Sequence, residues 1–131
     1  MLPGTTGLWY GQLSPDGRQV AALAGDARKL TLYDMLSHNT RALAEEADYP
    51  RWSADGIYVF FRTVYFLPGV ENPGIYRWQA SANTIEKVLA PPDFPLCGIL
   101  GVWSGLTPDG ALLLVRDLST RDLYRLDMEL P

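Results

Sequence analysis

The side chains able to perform chemistry are few in this chain. It contains one histidine, His38, and one cysteine, Cys97. A zinc site needs three or four clustered ligands, and a catalytic nucleophile needs a base held beside it. Residues 101–105 read Gly-Val-Trp-Ser-Gly, so Ser104 stands one position too late for the Gly-x-Ser-x-Gly motif of serine hydrolases. We therefore predict no catalytic, metal-binding or cofactor-binding residue.

His38 and Cys97 both have simple structural interpretations. His38 stands in a Ser-His-Asn-Thr turn, where we expect a solvated loop residue, because a catalytic base needs an oriented partner. Cys97 follows a proline-rich connection, residues 91–96, and we interpret it as a small buried apolar residue. A single cysteine cannot form an internal disulfide, so the sequence leaves the compartment undetermined.

Three aspartates occur in the same kind of turn. The segments read Leu-Ser-Pro-Asp-Gly at 13–17, Trp-Ser-Ala-Asp-Gly at 52–56 and Leu-Thr-Pro-Asp-Gly at 106–110. Asp-Gly favours a tight turn, because glycine accepts a positive φ and aspartate can hydrogen-bond the neighbouring backbone. We interpret these three carboxylates as turn residues and not as an active site.

The three turns mark an internal repeat. Their aspartates are 39 residues (55 − 16) and 54 residues (109 − 55) apart, and the period is about 40 once insertions are removed. A large aromatic residue stands seven positions before each turn glycine, at Tyr10, Tyr49 and Trp103. The agreement beyond the turn itself predicts three copies of one structural unit.

Each copy reads as a set of short strands. Apolar runs of strand length follow the turns at 19–23, 57–61 and 111–115. A third element begins at Leu30, Ile75 and Leu123. A fourth follows the Ser-His-Asn-Thr turn of copy one and the Ser-Ala-Asn-Thr turn of copy two.

The middle copy carries an insertion. Its third element begins six residues later than in the other copies, and the extra residues fall in the Pro- and Gly-rich stretch from Phe66 to Gly74. We expect this long loop, which is unique to one copy and partly apolar, to be a candidate for contact with another molecule.

Four antiparallel strands at this period are typical of a β-propeller blade. We predict an all-β fold, a single partial propeller domain over residues 1–131 with three four-stranded blades. Blade 1 covers about 7–46, blade 2 about 47–92 and blade 3 about 98–128. The last blade is expected to be incomplete, because the chain stops four residues after Asp127.

The turn segments and the Leu-Tyr-x-Leu-Asp strand at 123–127 resemble the WD-like repeat of TolB-type propellers. Residues 103–127 are more narrowly similar to the C-terminal end of propellers attached to bacterial eukaryotic-type serine/threonine kinases and to winged-helix regulators of the CadC type. This resemblance implies a sensor or scaffold domain in a longer bacterial polypeptide. The sequence shows no kinase motif or winged helix, so no catalytic residue is carried over.

Seven aromatic residues could suggest a surface for sugars or peptides. Their repeat-equivalent placement favours packing between blades instead, because aromatic side chains dominate core burial. The seven residues are Trp9, Tyr10, Tyr49, Trp52, Tyr76, Trp78 and Trp103.

Three blades are too few for a closed ring, since propellers close with typically four to eight. The chain is therefore expected to be a fragment of a longer protein, to pair with a second copy, or to form a compact open β-structure, and we favour the first. The expected partners are the missing blades of the parent chain or a second copy, and possible protein ligands.

The net charge of −4 argues against nucleic acid as a partner, because phosphate binding needs a basic patch. We expect no membrane contact by this segment, since no apolar run reaches the length of a membrane span. Our hypothesis is a non-enzymatic protein-interaction, scaffold or sensor propeller segment that forms the C-terminal part of a larger bacterial protein. The alternative is the substrate-gating propeller of a prolyl-oligopeptidase-like peptidase whose catalytic domain lies outside this chain.

Overall fold

The computed structural model describes residues 3–25, 28–63, 73–90 and 104–115. All regular elements in these ranges are β-strands. They are β1 (Leu8–Leu13), β2 (Gln19–Ala24), β3 (Lys29–Asp34), β4 (Thr40–Ala44), β5 (Ala47–Trp52), β6 (Tyr58–Thr63), β7 (Ile75–Gln79), β8 (Thr84–Leu89), β9 (Ser104–Leu106) and β10 (Leu112–Leu114).

The strands form three antiparallel sheets in simple chain order. Blade 1 is β1-β2-β3-β4 and blade 2 is β5-β6-β7-β8. The described part of blade 3 is the hairpin of β9 and β10, and its expected third element at Leu123 lies outside the described residues. The all-β partial propeller predicted from the sequence is confirmed.

The registers place the insertion where the sequence predicts it. Leu23 pairs with Leu30 in blade 1, and Arg62 pairs with Ile75 in blade 2. Leu23 and Arg62 each stand six residues after their turn glycine, so Leu30 and Ile75 are equivalent despite the longer connection in blade 2. Residues 64–72 of that connection, and with them most of the predicted contact loop, lie outside the described residues.

The Ser-x-Asn-Thr patterns of the two outer turns are offset by one residue in the structure. Tyr33 pairs with Thr40 and Trp78 pairs with Ile85, so the structural equivalent of His38 is Asn83 and not the alanine before it. Both residues have a positive φ, 59° at His38 and 51° at Asn83. Histidine and asparagine tolerate this left-handed conformation better than most residues, and the backbone requirement overrides the Ser-x-Asn-Thr pattern.

The three Asp-Gly turns share one hydrogen-bond design. The hydroxyl of Ser14 donates to Asp16 Oδ1 at 2.6 Å and that of Ser53 donates to Asp55 Oδ1 at 2.6 Å. Thr107 donates to Asp109 in the same way. The turn of blade 3 is one residue shorter. The Thr107 backbone N–H donates to the carbonyl oxygen of Ala111, four residues later, whereas that of Ser14 donates to the carbonyl oxygen of Gln19, five residues later.

These hydrogen bonds make stability depend on pH. The hydroxyl of Ser53 is the main cause that lowers the pKa of Asp55 from its ordinary value of 3.8, and Ser14 and Thr107 do the same for Asp16 and Asp109. A pKa lowered in the folded state contributes stability above the ordinary value, which is lost as the pH falls through the folded value.

We therefore expect the urea midpoint to fall as the pH is lowered below about 4. The Asp55→Asn variant removes one of the titrating groups and should show a weaker dependence over the same range. Urea unfolding followed by circular dichroism at a series of pH values measures both. If the urea midpoints of the native chain and the variant depend on pH in the same way, the Asp55 turn does not contribute to the pH dependence of stability.

Blades 1 and 2 pack face to face, with β5 lying against β1, β2 and β3. One side of blade 1 and one side of blade 2 form a single buried apolar cluster. Its members are Ala21, Leu23, Leu30 and Leu32 from blade 1 and Ala47, Val59, Phe61 and Trp78 from blade 2. Each blade therefore completes its core only through its neighbour, as expected for stacked repeats.

Candidate interaction surface

The aromatic residues divide into a packed group and one exception. Trp78 belongs to the core between the blades, and Tyr10, Trp52 and Tyr76 pack against it. Tyr49 meets Tyr10 edge to face, with ring centroids 5.5 Å apart. The packing prediction is confirmed for these five. Trp9 is 44% exposed.

Tyr10 and Tyr49 occupy matching β-bulges on the first strands of their blades. Their φ angles are 52° and 49°, and the ladder shifts register at both positions. An arginine guanidinium lies over each ring. The guanidinium carbon of Arg51 is 5.5 Å from the centre of the Tyr10 ring, and that of Arg62 is 4.7 Å from the centre of the Tyr49 ring. The repeat spacing identified the tyrosines, whereas the arginines carry no repeat signal.

A buried ionic cluster lies beside this row and was missed by sequence reasoning. Asp48 Oδ2 accepts hydrogen bonds from Arg28 Nη1 at 2.7 Å and from Arg62 Nη2 at 3.2 Å. The side chains of Asp48 and Arg62 are only 10% and 9% exposed. Within the described residues, Arg62 Nε and Nη1 are buried without a hydrogen-bond partner. In this part of the chain the cluster therefore holds one more cation than anion.

His38 has a structural partner. The Tyr33 hydroxyl donates to the carbonyl oxygen of Pro3 at 2.8 Å and lies 2.7 Å from His38 Nδ1. The hydroxyl has a single hydrogen, so Nδ1 must donate to it while Pro3 accepts. His38 is exposed, as predicted, but its ring is hydrogen-bonded to Tyr33 of β3.

The remaining candidates of the sequence analysis yield no site in the described ranges. Histidine, cysteine and carboxylate side chains there do not gather in groups of three that could hold a metal ion. Ser104 opens β9. Cys97 and Trp103 lie outside the described residues, as do residues 66–72 of the predicted contact loop.

The side of blade 1 that faces away from blade 2 forms an apolar cleft of about 280 Å³. We call this side the open face. Leu13, which pairs with Val20 on this side of the sheet, is 58% exposed, and Trp9, which lines the cleft, is 44% exposed. The cleft is lined by Thr5, Leu8, Trp9, Gly11, Val20, Ala22 and Tyr33. Sequence reasoning expected an unpaired blade face, but the composition of the cleft follows from the strand registers.

The comparisons with known proteins agree with this architecture. The chain matches no protein-family model and no curated protein. Among solved structures it is similar to the crystal structure of TolB from Acinetobacter baumannii, with a TM-score of 0.58 and 18% sequence identity. The match covers 88% of this chain and 28% of the TolB chain. The fold is therefore that of a partial TolB-like β-propeller.

None of the described residues belongs to a helix able to span a bilayer.

Proposed function

We propose that this chain is a non-enzymatic segment of a TolB-like propeller and acts through protein interaction, as a scaffold or sensor. The observation that carries the proposal is the open face of blade 1, where a large apolar cleft lies beside the exposed Trp9. Apolar patches on soluble proteins commonly mark sites of association.

The partial length of the match supports a segment of a larger assembly. The chain corresponds to 28% of the TolB chain, and its two complete blades share one core. Repeat units cannot bury their apolar faces alone, so a blade at the end of a stack requires a cover. The missing blades of a parent chain fit this requirement best.

The parent that we propose is a bacterial protein in which the propeller follows a catalytic or DNA-binding domain. The support is the resemblance of residues 103–127 to the propeller ends of eukaryotic-type kinases and CadC-type regulators. In such an arrangement the propeller contributes recognition, and the chemistry belongs to the other domain.

The isolated chain is expected to associate, because burial of its apolar face is favourable at about 25 cal/mol per Å². Size-exclusion chromatography with light scattering over a wide concentration range should give a mass that rises above that of one chain. A stable monomer at every concentration would contradict the proposal. Hydrolysis of peptide substrates by the purified chain would contradict its non-enzymatic part.

A further inference from the structure

We propose that the open face of blade 1 is the docking surface for a further β-blade whose second strand carries a large aromatic side chain where blade 1 carries Ala21. This inference rests on the proposed function and specifies the chemistry of the partner.

The open face has a buried counterpart in blade 2. The Asp-Gly turns and the strand registers align blade 1 with blade 2. On the first two strands, each residue of the open face corresponds to the blade 2 residue 39 positions later in the sequence. On the third strand, Tyr33 corresponds to Trp78. The counterparts of Leu8, Gly11, Val20, Ala22 and Tyr33 are Ala47, Pro50, Val59, Phe61 and Trp78. All five of these blade 2 residues are buried.

The cover over these five residues is the other side of blade 1. Ala21 and Leu23 on β2, together with Leu30 and Leu32 on β3, form one cluster with the blade 2 face. If a preceding blade packs on blade 1 as blade 1 packs on blade 2, its equivalent side covers the open face. The occupant is therefore a four-stranded blade with apolar residues on its two central strands.

The sizes of the side chains set a further condition on the occupant. In the blade 1 and blade 2 interface the bulky Phe61 shares its cluster with the small Ala21. On the open face the counterpart of Phe61 is the smaller Ala22, which is 2% exposed and lines the cleft. Protein interiors are packed without voids, so a small residue on one side calls for a large one opposite. Blade 2 itself carries Phe60 at the position of Ala21.

Gly11 enlarges the cleft in the same way. It stands where blade 2 has the buried Pro50, and a Cβ atom built on it would lie 3.1 Å from Val20 Cγ1. The cleft next to Gly11 and Ala22 measures about 280 Å³. A blade with the small Ala21 side chain of blade 1 would underfill this space, whereas a phenylalanine at that position would occupy it.

The segment that leads into β1 is compatible with a preceding blade. The 39-residue offset between the blades makes residues 3–6 the counterparts of residues 42–45, at the end of β4. Gly7 and Glu46 close the two segments and have the same left-handed backbone, with φ angles of 79° and 53°. Thr5 lines the cleft and its counterpart Ala44 packs against the core. A preceding blade is therefore expected to lead into β1 through this segment, with residues 3–6 as the end of its fourth strand.

The test extends the chain by one blade. A second copy of residues 7–45 is joined directly to Gly7, so that residues 42–45 of the copy take the place of residues 3–6, with Ala21→Phe and Trp9→Phe in the added copy only. Native Trp9 then reports on the open face through 5-fluorotryptophan NMR, its signal being assigned with the Trp9→Phe variant of the unextended chain. We expect the solvent isotope shift of the Trp9 fluorine signal, the difference between its positions in H2O and D2O, to be at least twofold smaller than in the unextended chain.

Two controls isolate the size condition. The same extension with Ala21 retained should protect Trp9 less. The Ala22→Phe substitution in the native blade fills the cleft and should abolish the advantage of the phenylalanine extension. Equal exposure of Trp9 in all extended chains would overturn the proposal.

Association of the native chain is a separate outcome. If association of the unextended chain protects Trp9 as fully as the phenylalanine extension does, a large aromatic side chain at the position of Ala21 is not required and this inference fails. If the native chain associates while Trp9 stays exposed in every extended chain, the proposed function stands and this inference alone is wrong.

Discussion

Replacing Trp78 by alanine is expected to lower the free energy of unfolding by about 3–5 kcal/mol, the largest loss among single core substitutions of this chain. Trp78 is 2% exposed and lies in the cluster shared by the two blades. Its removal leaves a cavity that the surrounding strands cannot close. Since a domain is stable by only about 5–15 kcal/mol, this variant should be close to unfolding.

The loss extends beyond packing. The Trp78 indole donates to Asn83 Oδ1 at 3.1 Å, and Arg41 of blade 1 donates to the same oxygen at 3.0 Å. The Arg41 guanidinium also lies 5.2 Å from the centre of the Trp78 ring. The side chain therefore connects the outer strands of both blades as well as their core.

Urea unfolding at fixed protein concentration measures the effect, because association would otherwise contribute. Trp78→Phe keeps most of the volume and loses the indole donor, so a smaller loss is expected. Ile57→Ala, at an exposed turn position, should change stability by no more than about 0.5 kcal/mol. An equal loss from Trp78→Ala and Ile57→Ala would contradict the packing of the two blades through Trp78.

The second large effect is expected at the buried ionic cluster. Asp48→Ala removes the only anionic partner that Arg62 has among the described residues. Breaking a buried ion pair by deleting one partner costs about 3–5 kcal/mol, because it leaves a desolvated charge. The contact of Arg62 with the Tyr49 ring compensates for only part of that charge.

The opposite single substitution should be harmless. Arg62→Leu restores the residue that blade 1 carries at this position, Leu23, which is fully buried. Asp48 then keeps Arg28 as its partner at 2.7 Å. We expect stability to change little, because the substitution removes a buried cation while Asp48 keeps a cationic partner.

The double variant distinguishes charge from volume. Asp48→Ala combined with Arg62→Leu contains no uncompensated buried cation, so it should recover most of the stability lost in Asp48→Ala. Urea unfolding of the four chains gives the coupling between the two sites. Absence of recovery in the double variant would show that the loss arises from the cavity at Asp48 and not from the charge of Arg62.

Local signals in the sequence were sufficient for the repeat and its strands. The three Asp-Gly turns and the apolar runs depend on contacts within a few residues, and the turn hydrogen bonds of Ser14, Ser53 and Thr107 follow from them. The aromatic positions were predicted to pack between blades because they recur at the period. Five of the seven do so, at Tyr10, Tyr49, Trp52, Tyr76 and Trp78.

The failures of sequence reasoning have physical causes. The outer turns share a Ser-x-Asn-Thr pattern that does not show which of their residues are equivalent, whereas a positive φ at His38 and Asn83 determines the register. Trp9 was grouped with the packed aromatic residues, although its counterpart in blade 2 is Asp48. The two positions are equivalent in the strand but face different surroundings.

The sequence by itself determined the period, the turns and the all-β propeller architecture, because each depends on neighbours along the chain. Only the tertiary structure decided that Asp48 and Arg62 lie together as a buried pair, and that Gly11 and Ala22 leave a cleft on the open face. Both features arise where strands and blades meet. Such contacts depend on which side of a strand a residue faces and on the size of what lies opposite, and neither is encoded in local spacing.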